Sequence, residues 1–328
     1  MRLILDAEIR PETVGRMQAL APGLEVVDVF GRAFDAATLA DPEVEILVGG
    51  RAPADLSGVP KLRWLQVRSA GVDHLLADPP WRKGLLVTNS RGVFAVPIGE
   101  YVTGMVLRIH QPTMTWTADQ AAHHWPTSEP PTLEMVRDRR AVIAGYGAIG
   151  REVARQLSAL GMRIVAVKPR PENRDDTGYF VPGTGDPDGS IPERIVGDAL
   201  LAEVCRDADV LVLTMPLTDA SRGIISAAVI AALPAHAWLI NVARGPLVDE
   251  PALLEALRGG HLAGAVLDVF AQEPLPADSP WWGQPNVIVT PHVSGTSARY
   301  FDDLLVENLR RYLAGGSLLN QIDPERGY

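Results

Sequence analysis

The sequence contains two successive series of short apolar runs, and in each series the runs alternate with helical or turn segments. The first series consists of RLIL (2–5), LEVVDVF (24–30), EILVGG (45–50), LRWLQV (62–67) and LLVTNS (85–90). The second consists of AVIA (141–144), RIVAV (163–167), DVLVLT (209–214), AWLINVA (237–243), GAVLDVF (264–270) and NVIVTPH (286–292). Alternation of this kind is typical of βαβ units with parallel strands. The sequence therefore predicts an α/β protein with two parallel-sheet domains, which agrees with its length of 328 residues.

Three further segments complete this organisation. From Pro97 to about Ala122, apolar residues recur at spacings of three and four, which predicts a helix between the two series. ARYFDDLLVENLRRYLAGG (298–316) predicts a C-terminal amphipathic helix that ends on glycines. The segment 170–194 is rich in Gly, Pro and Asp and shows no period, so we expect a functional or mobile loop.

Composition excludes several classes of partner. The net charge of −10 argues against broad binding to nucleic acid or anionic membranes, since both need a basic surface. Cys205 is the single cysteine, so neither an intrachain disulfide nor a thiolate metal cluster is expected, and the histidines show no convincing metal-ligand spacing. The N-terminal apolar run is too short for a signal peptide, and no stretch approaches the length of a membrane span. We therefore expect a cytoplasmic protein without a metal site.

GYGAIG (145–150) matches the pattern G-x-G-x-x-G, with Tyr146, Ala148 and Ile149 at the intervening positions. The match gains weight from its context, because a predicted strand precedes it and a predicted helix follows it. Gly145 would allow the tight turn, Gly147 the approach of a pyrophosphate, and Gly150 close contact between helix and strand. A plain βα turn of small residues is the alternative, but the flanking elements favour a dinucleotide-binding loop.

The strand after this loop ends in two basic residues, Lys168 and Arg170, and the first acidic residue is Glu172. In a dinucleotide-binding unit, an acidic residue at this place binds the ribose 2′-hydroxyl of NAD, whereas a cation accommodates the 2′-phosphate of NADP. Two solvated charges at a strand end are the alternative. The residues favour NADP over NAD, although NAD remains possible.

Three polar residues lie at or just beyond the predicted ends of later strands: Arg244, Glu273 and His292. Open α/β sheets bind ligands at the carboxyl ends of their strands, so these residues are the candidate catalytic group. Each one singly has a structural alternative: Arg244 could cap its loop, Glu273 could be a surface charge, and His292 could be an ordinary histidine at a domain junction.

The motifs NVARGPLVDEPAL (241–253), LDVFAQEPL (267–275) and VTPHVSG (289–295), with GYGAIG and the PLT of LTMPLTDASRGII (213–225), resemble the D-isomer-specific 2-hydroxyacid dehydrogenase family. The resemblance runs from about Leu62 to Arg311. Within the family, the chain looks most similar to the NADPH-preferring glyoxylate/hydroxypyruvate reductase type, a finer comparison that depends mainly on Lys168 and Arg170.

The resemblance implies a role for each candidate residue. Arg244 would bind the carboxylate and carbonyl of a small 2-keto acid, His292 would be the acid/base, and Glu273 would pair with it. The chemistry needs such residues, because hydride addition at C2 requires a proton on the developing alkoxide, and a carboxylate partner favours imidazolium. An arginine fork grips a 2-oxo acid at two points.

Further contacts follow from the same resemblance. Asp268 would contact the nicotinamide carboxamide, and Ser69, Ala70, Gly71 and Val72 would present backbone N–H groups to the substrate carboxylate, as an anion-binding nest does. A tight turn between strand and helix is the structural alternative for residues 69–72. The motifs place other coenzyme contacts at Met215, Pro216, Val242, Ala243, His292 and Gly295.

The resemblance also implies an architecture of two Rossmann-like (flavodoxin-like) domains with the active site in a cleft that closes to exclude water. The substrate domain would be residues 1–99 plus 296–328, and the dinucleotide-binding domain residues 100–295. A homodimer is expected, with Glu100 to Trp125 as the candidate interface, and the loop 170–194 is expected to border the adenosine end of the coenzyme. The chain ends at Tyr328, without the regulatory extension of some phosphoglycerate dehydrogenases, which favours a simple reductase.

Two alternatives stay open at the level of the sequence. One is an NAD-linked dehydrogenase of D-lactate, D-glycerate or phosphoglycerate. The other is a non-catalytic dinucleotide-sensing binding protein on the same scaffold.

Overall fold

The computed structural model describes residues 1–31, 41–53, 55–127, 133–297 and 299–325, and the side chain of Met114 is not described. The chain divides into two compact units. Unit 1 comprises Met1–Phe94, Gly178–Val181 and Ser297–Tyr328, and unit 2 comprises Ala95–Thr177 and Pro182–Thr296. The units change at Phe94 and Thr296, whereas the sequence analysis placed the boundaries at residues 99 and 295.

Unit 1 is built on a five-stranded parallel sheet with the order β2-β1-β3-β4-β5. Its strands are β1 (Arg2–Leu5), β2 (Glu25–Asp28), β3 (Val44–Gly49), β4 (Trp64–Val67) and β5 (Leu86–Thr88). Unit 2 is built on a seven-stranded parallel sheet with the order β12-β11-β10-β9-β6-β7-β8. Its strands are β6 (Arg140–Ala144), β7 (Arg163–Val167), β8 (Arg194–Val196), β9 (Val210–Leu213), β10 (Trp238–Asn241), β11 (Gly264–Leu267) and β12 (Val287–Val289).

In the part of the chain that the structure describes, helices alternate with the strands, as the sequence pattern predicts. They are α1 (Pro11–Leu20), α2 (Ala95–His110), α3 (Thr113–Ala121), α4 (Ala148–Ala159), α5 (Leu201–Cys205), α6 (Ala227–Ala232), α7 (Glu250–Arg258) and α8 (Phe301–Leu313). Strands such as β4 and β9 are buried at every position, which is the burial pattern of parallel strands with both faces covered. The predicted fold class of two parallel-sheet α/β domains is confirmed.

The order of strands in unit 2 reverses at β6. The strands that follow along the chain, β7 and then β8, lie on one side of β6, and the series β9, β10, β11 and β12 extends on the other. A reversal of this kind opens a crevice beyond the carboxyl ends of the two central strands, where open α/β sheets bind ligands. The loop GYGAIG begins directly after β6 and therefore lies at this point.

Two helical predictions differ in detail from the structure. The helix predicted from Pro97 to about Ala122 is divided into α2 and α3 by Gln111 and Pro112, since a proline cannot donate the hydrogen bond that would continue a helix. The C-terminal helix begins at Phe301, and Ala298, its predicted first residue, lies outside the described residues. Helix α2 packs on α4 within unit 2: Thr103 donates to Gln156 Oε1 at 2.9 Å, and a Cβ on Gly99 would lie 2.7 Å from Gln156 Nε2.

The loop 170–194 differs from the sequence-based prediction in two ways. Its last residue, Arg194, begins strand β8, which the sequence analysis did not predict and which pairs with β7. Its central residues Gly178–Val181 belong to unit 1, although the sequence analysis placed them in the dinucleotide-binding domain.

Tyr179 explains the assignment of this central segment to unit 1. Its side chain is almost fully buried, and its backbone N–H donates to Asn320 Oδ1 at 3.0 Å. Asn320 in turn donates to the carbonyl oxygens of Asn89 and Arg91. The close approach requires a glycine at position 92, where φ is +88° and a Cβ would lie 2.0 Å from the carbonyl oxygen of Tyr179.

No helix in the described ranges is long and apolar enough to cross a lipid bilayer.

Candidate active site

The carboxyl edge of the seven-stranded sheet carries most of the predicted site residues. They follow six different strands: Gly145–Gly150 after β6, Lys168 and Arg170 after β7, Met215 and Pro216 after β9, Val242–Arg244 after β10, Asp268 and Glu273 after β11, and His292 and Gly295 after β12. Because parallel strands end on the same side, their distant sequence positions meet at one edge. Ser69–Val72 follow β4 in unit 1.

The glycine loop has the close contacts that its pattern predicts. Gly145 has φ of +101°, and a Cβ there would lie 2.4 Å from the backbone nitrogen of Met215. A Cβ on Gly150 would lie 2.1 Å from the carbonyl oxygen of Gly145, so this part of the helix can approach the strand only without a side chain. Gly147 is the N-cap of α4, whose first N–H groups lack partners within the helix. This cradle of backbone donors at a positive helix end fits a dinucleotide pyrophosphate.

A buried polar cluster holds the loop 170–194 against the glycine loop. The hydroxyl of Tyr146 donates to Asp186 Oδ2 at 2.5 Å, and the guanidinium of Arg151 lies 4.7 Å from the centre of the Tyr146 ring. Arg151 is fully buried and donates to the carbonyl oxygens of Asp186 and Arg174. Burial, together with the hydrogen bond to Asp186, raises the pKa of Tyr146, so its hydroxyl stays a donor. No sequence pattern indicated this cluster, because Asp186 belongs to a stretch that resembles an ordinary turn.

Glu152 forms a second attachment of the loop. Its carboxylate is fully buried and accepts the N–H of Gly185 at 2.7 Å, the amide of Gln156 at 2.8 Å and the guanidinium of Arg155. Burial alone would raise the pKa of Glu152, but these hydrogen bonds outweigh it and hold the pKa below its ordinary value.

We expect Glu152→Gln to lower stability in a pH-dependent way. A carboxyl whose pKa is lowered by folding adds stability above its unfolded pKa and loses it as the pH falls through the folded pKa. The difference in melting temperature between the native protein and Glu152→Gln should therefore be largest near pH 7 and should shrink below about pH 4.5, the ordinary value. Thermal denaturation across pH measures it.

Glu203→Gln is the matched control, because that carboxylate is 58% exposed and should show no such trend. A difference that stays constant from pH 7 to pH 3 would contradict the prediction.

Lys168 and Arg170 follow the end of β7, and Arg170 is the first residue of a turn that ends at Asn173. The register pairs Ala144 with Val167, so Lys168 lies beside the start of the glycine loop. The ammonium group of Lys168 donates to the carbonyl oxygen of Asn173 at 2.5 Å, and Asn173 N–H donates to the carbonyl of Arg170 at 3.2 Å. Arg170 is exposed. The segment that follows β7 therefore carries two cationic side chains next to the glycine loop.

His292 and Glu273 form a hydrogen-bonded pair. Nδ1 of His292 lies 2.8 Å from Oε2 of Glu273, and the other oxygen of Glu273 accepts the N–H of Phe270 at 2.9 Å. The loop that contains Glu273 thus holds its carboxylate in place, and this carboxylate orients the imidazole ring of His292. Nε2 of His292 makes no hydrogen bond with any described residue, and the side chain is 48% exposed. The pair leaves one ring nitrogen directed away from Glu273 for a proton transfer.

Asp268 lies beneath the turn that carries His292. Its carboxylate is fully buried and accepts the hydroxyl of Thr290 at 2.5 Å, the N–H of Val293 at 2.9 Å and the N–H of Ser294 at 3.0 Å. Its carbonyl oxygen accepts the N–H of His292 at 2.8 Å. The nicotinamide contact that the resemblance implied for Asp268 stays a prediction, and in the structure its carboxylate accepts these three hydrogen bonds from the protein. These bonds fix His292 at φ of +54°, a left-handed conformation that costs a non-glycine residue about 1–3 kcal/mol.

Arg244 lies in a loop fixed from both sides. Asn241, which is buried, donates to the carbonyl of Arg244 at 3.0 Å and accepts the N–H of Ala243 at 3.0 Å. The next residue is Gly245, where a Cβ would lie 1.9 Å from the backbone of Phe270. Only glycine allows this approach, which joins the loop of Arg244 to the loop that holds Glu273.

In unit 1, the carbonyl groups of the turn after β4 accept hydrogen bonds from residues of the same unit. The carbonyl of Ser69 accepts the N–H of Ser90 at 3.0 Å, that of Ala70 accepts Asn89 Nδ2 at 2.9 Å, and that of Gly71 accepts the Ser69 hydroxyl at 2.6 Å. The N–H groups of Ala70, Gly71 and Val72 donate to no acceptor among the described residues. These donors are available to an anion.

The parallel sheets, the glycine loop at the reversal of strand order and the His292–Glu273 pair define a dinucleotide-dependent oxidoreductase. The family model of the D-isomer specific 2-hydroxyacid dehydrogenase NAD-binding domain matches residues 103–294, and the chain belongs to this family. It is an NAD(P)-dependent enzyme of the D-2-hydroxyacid dehydrogenase type, as the sequence analysis predicted.

Solved structures and curated relatives agree with this assignment. A D-isomer specific 2-hydroxyacid dehydrogenase from Xanthobacter autotrophicus Py2, solved with NADPH and MES, has a TM-score of 0.79 and 32% identity over 100% of this chain and 99% of that one. An NADPH-dependent glyoxylate/hydroxypyruvate reductase from Sinorhizobium meliloti, solved with NADP and sulfate, has a TM-score of 0.77 and 28% identity over 100% and 99% of the two chains. An (S)-sulfolactate dehydrogenase from Chromohalobacter salexigens is 31% identical over 85% of this chain and 91% of its own length.

Proposed function

We propose that this enzyme reduces a small 2-keto acid of the glyoxylate or hydroxypyruvate kind to the D-2-hydroxy acid, and that it prefers NADPH. The observation that carries the reaction is the pairing of His292 Nδ1 with Glu273, which leaves Nε2 for a proton transfer. Similarity to the Sinorhizobium meliloti reductase, which is NADPH-dependent, supports the choice of substrate class and coenzyme.

In this proposal the coenzyme is held by the cradle Gly145–Gly150 and the loops after β9, β10 and β12, at Met215, Pro216, Val242, Ala243 and Gly295. A bound nicotinamide coenzyme supplies the hydride for C2 of the keto acid.

The remaining chemistry belongs to residues of the chain. Nε2 of His292 gives a proton to the oxygen on C2, and the Glu273 carboxylate stabilises the imidazolium form and keeps Nδ1 engaged. The guanidinium of Arg244 holds the carboxylate and the carbonyl oxygen of the substrate and stabilises negative charge that develops there. In unit 1, the N–H groups of Ala70, Gly71 and Val72 are the proposed hydrogen-bond donors to a carboxylate.

The preference for NADPH rests on Lys168 and Arg170. Both follow β7, beside the glycine loop, where the adenosine ribose of a dinucleotide binds. Their positive charges would pair with a 2′-phosphate, and Arg170 is exposed and able to adjust. We propose further that the loop 170–194 borders this end of the coenzyme, since Tyr146, Arg151 and Glu152 attach it to the glycine loop and to α4.

Initial rates with NADPH and NADH across a panel of 2-keto acids test the proposal. We expect kcat/KM for NADPH to exceed that for NADH by about tenfold or more, since a hydrogen bond to a charged group is worth about 1.5–3 kcal/mol and a factor of ten corresponds to about 1.4 kcal/mol. In the double variant Lys168→Ser with Arg170→Ser, KM for NADPH should rise by about tenfold while the constants for NADH stay within about threefold.

Arg222→Ser, at an exposed arginine of unit 2, is the matched control and should change neither coenzyme. A native enzyme that prefers NADH would refute the NADPH proposal while leaving the keto acid chemistry intact, and would favour the NAD-linked alternative. Coenzyme binding without turnover on any keto acid would favour a dinucleotide-sensing protein.

Two further expectations stay predictions: a cytoplasmic location, and a homodimer formed through Glu100 to Trp125. In favour of the dimer, Trp116 and Trp125 are 41% and 86% exposed, which is unusual for large apolar side chains without a partner.

A further inference from the structure

A chain of hydrogen bonds leads from helix α2 to the turn that carries His292. The hydroxyl of Tyr101 lies 2.7 Å from Oγ1 of Thr290, and Oγ1 of Thr290 lies 2.5 Å from Oδ1 of Asp268. All three residues belong to unit 2, although Tyr101 and Thr290 are 189 positions apart in the sequence. No motif of the sequence included Tyr101 or Thr290 as a site residue.

The donor and the acceptor in each of these hydrogen bonds follow from the number of hydroxyl hydrogens that are present. The carboxylate of Asp268 can only accept, so the single hydroxyl hydrogen of Thr290 is used in the bond to Oδ1. The hydrogen between Tyr101 and Thr290 must then come from Tyr101. Burial is the main reason that the pKa of Tyr101 is raised to about 12, so the phenol keeps its hydrogen at neutral pH.

This chain of hydrogen bonds leads to Asp268, the residue that determines the position of His292. Besides Thr290, Asp268 accepts hydrogen bonds from the backbone N–H groups of His292, Val293 and Ser294. These donors lie on both sides of His292, whose left-handed φ persists only while its neighbours are fixed. Thr290 is the one side chain among these donors, and Tyr101 fixes its rotamer.

We propose that Tyr101 is a positioning residue for the acid/base histidine, acting through Thr290 and Asp268 on the turn that carries His292. The proposal rests on the proposed role of His292. Tyr101 lies on the first turns of α2, so it ties the position of the histidine to the helix with which unit 2 begins.

The test is Tyr101→Phe, which removes the hydroxyl and keeps the ring. A misplaced histidine slows the proton transfer without weakening binding, so kcat should fall by about tenfold while KM for the keto acid and for the coenzyme stays within about twofold. Tyr312→Phe is the matched control: it removes a tyrosine hydroxyl that donates to Glu45 in unit 1 at 2.8 Å, and kcat should not change.

Thr290 provides a second test that does not depend on the tyrosine. Thr290→Ser keeps the hydroxyl and should retain most of kcat, whereas Thr290→Val removes it and should lose at least as much as Tyr101→Phe. Because both residues act in one chain, adding Tyr101→Phe to Thr290→Val should cause no more than a twofold further loss.

The results separate the two proposals. A native enzyme without turnover refutes the proposed function. An active native enzyme in which Tyr101→Phe keeps kcat within twofold, or raises KM alone, refutes the role of Tyr101 and leaves the function standing. A loss of melting temperature with unchanged kcat also refutes it, because it shows a purely structural bond.

Discussion

Replacing His292 with glutamine should lower kcat for keto acid reduction by about 10²–10⁴-fold, the usual contribution of a positioned general acid. Glutamine can keep a hydrogen bond to Glu273, but its amide cannot deliver a proton to a developing alkoxide. Because Nε2 of His292 bonds to no described residue, the change should disturb little else. Steady-state rates with a saturating keto acid measure the effect.

Coenzyme binding separates a loss of chemistry from a loss of structure. The dissociation constant for NADPH, followed by its fluorescence, should change less than threefold in His292→Gln. His261→Gln replaces an exposed histidine just after α7 and should keep native rates. Native turnover in the His292 variant would rule out the acid/base role.

Replacing Arg244 with lysine should lower kcat/KM by about 100-fold, with most of the effect in KM for the keto acid. Lysine keeps the charge but loses the planar fork that can hold a carboxylate and a neighbouring carbonyl oxygen together. Hydrogen bonds to charged groups are worth about 1.5–3 kcal/mol each, so the loss of one such contact accounts for this effect. Kinetics with varied keto acid at saturating coenzyme measure it.

Arg258→Lys, at the exposed end of α7, is the matched control and should leave kcat/KM unchanged. The Arg244 variant should also bind the coenzyme as the native enzyme does. An unchanged KM for every keto acid in the panel would show that Arg244 does not hold the substrate.

The sequence predicted those parts of the site that a short stretch of chain defines by itself. The strand before Gly145, the helix after Gly150 and the glycines between them are all local, and the structure shows the turn they encode. The positions of Arg244 and His292 were predictable for a related reason, because each follows an apolar run and parallel strands end at one edge.

The polar contacts between distant segments could not be predicted in this way. Tyr146 and Asp186 are 40 positions apart, and neither belongs to a periodic pattern that would indicate the other. The same holds for the contact of Tyr101 with Thr290. Such pairs are specified by tertiary packing, which brings together side chains whose local sequence is compatible with many surroundings.

The short strand β8 was missed because only three residues, Arg194–Val196, form it at the end of a stretch rich in turn residues. The hydrogen bonds to β7 stabilise this strand, although its own sequence shows no strand pattern.

The assignment of Gly178–Val181 to unit 1 limits the modularity of this enzyme. The residues that flank this segment on both sides belong to the coenzyme-binding unit, so no single continuous piece of the chain contains that unit alone. Transplanting residues 95–296 onto the first unit of another protein would separate Tyr179 from Asn320 and Gly92, the residues that it contacts. Exchange of domains by recombination therefore requires a host that supplies a matching site for this tyrosine.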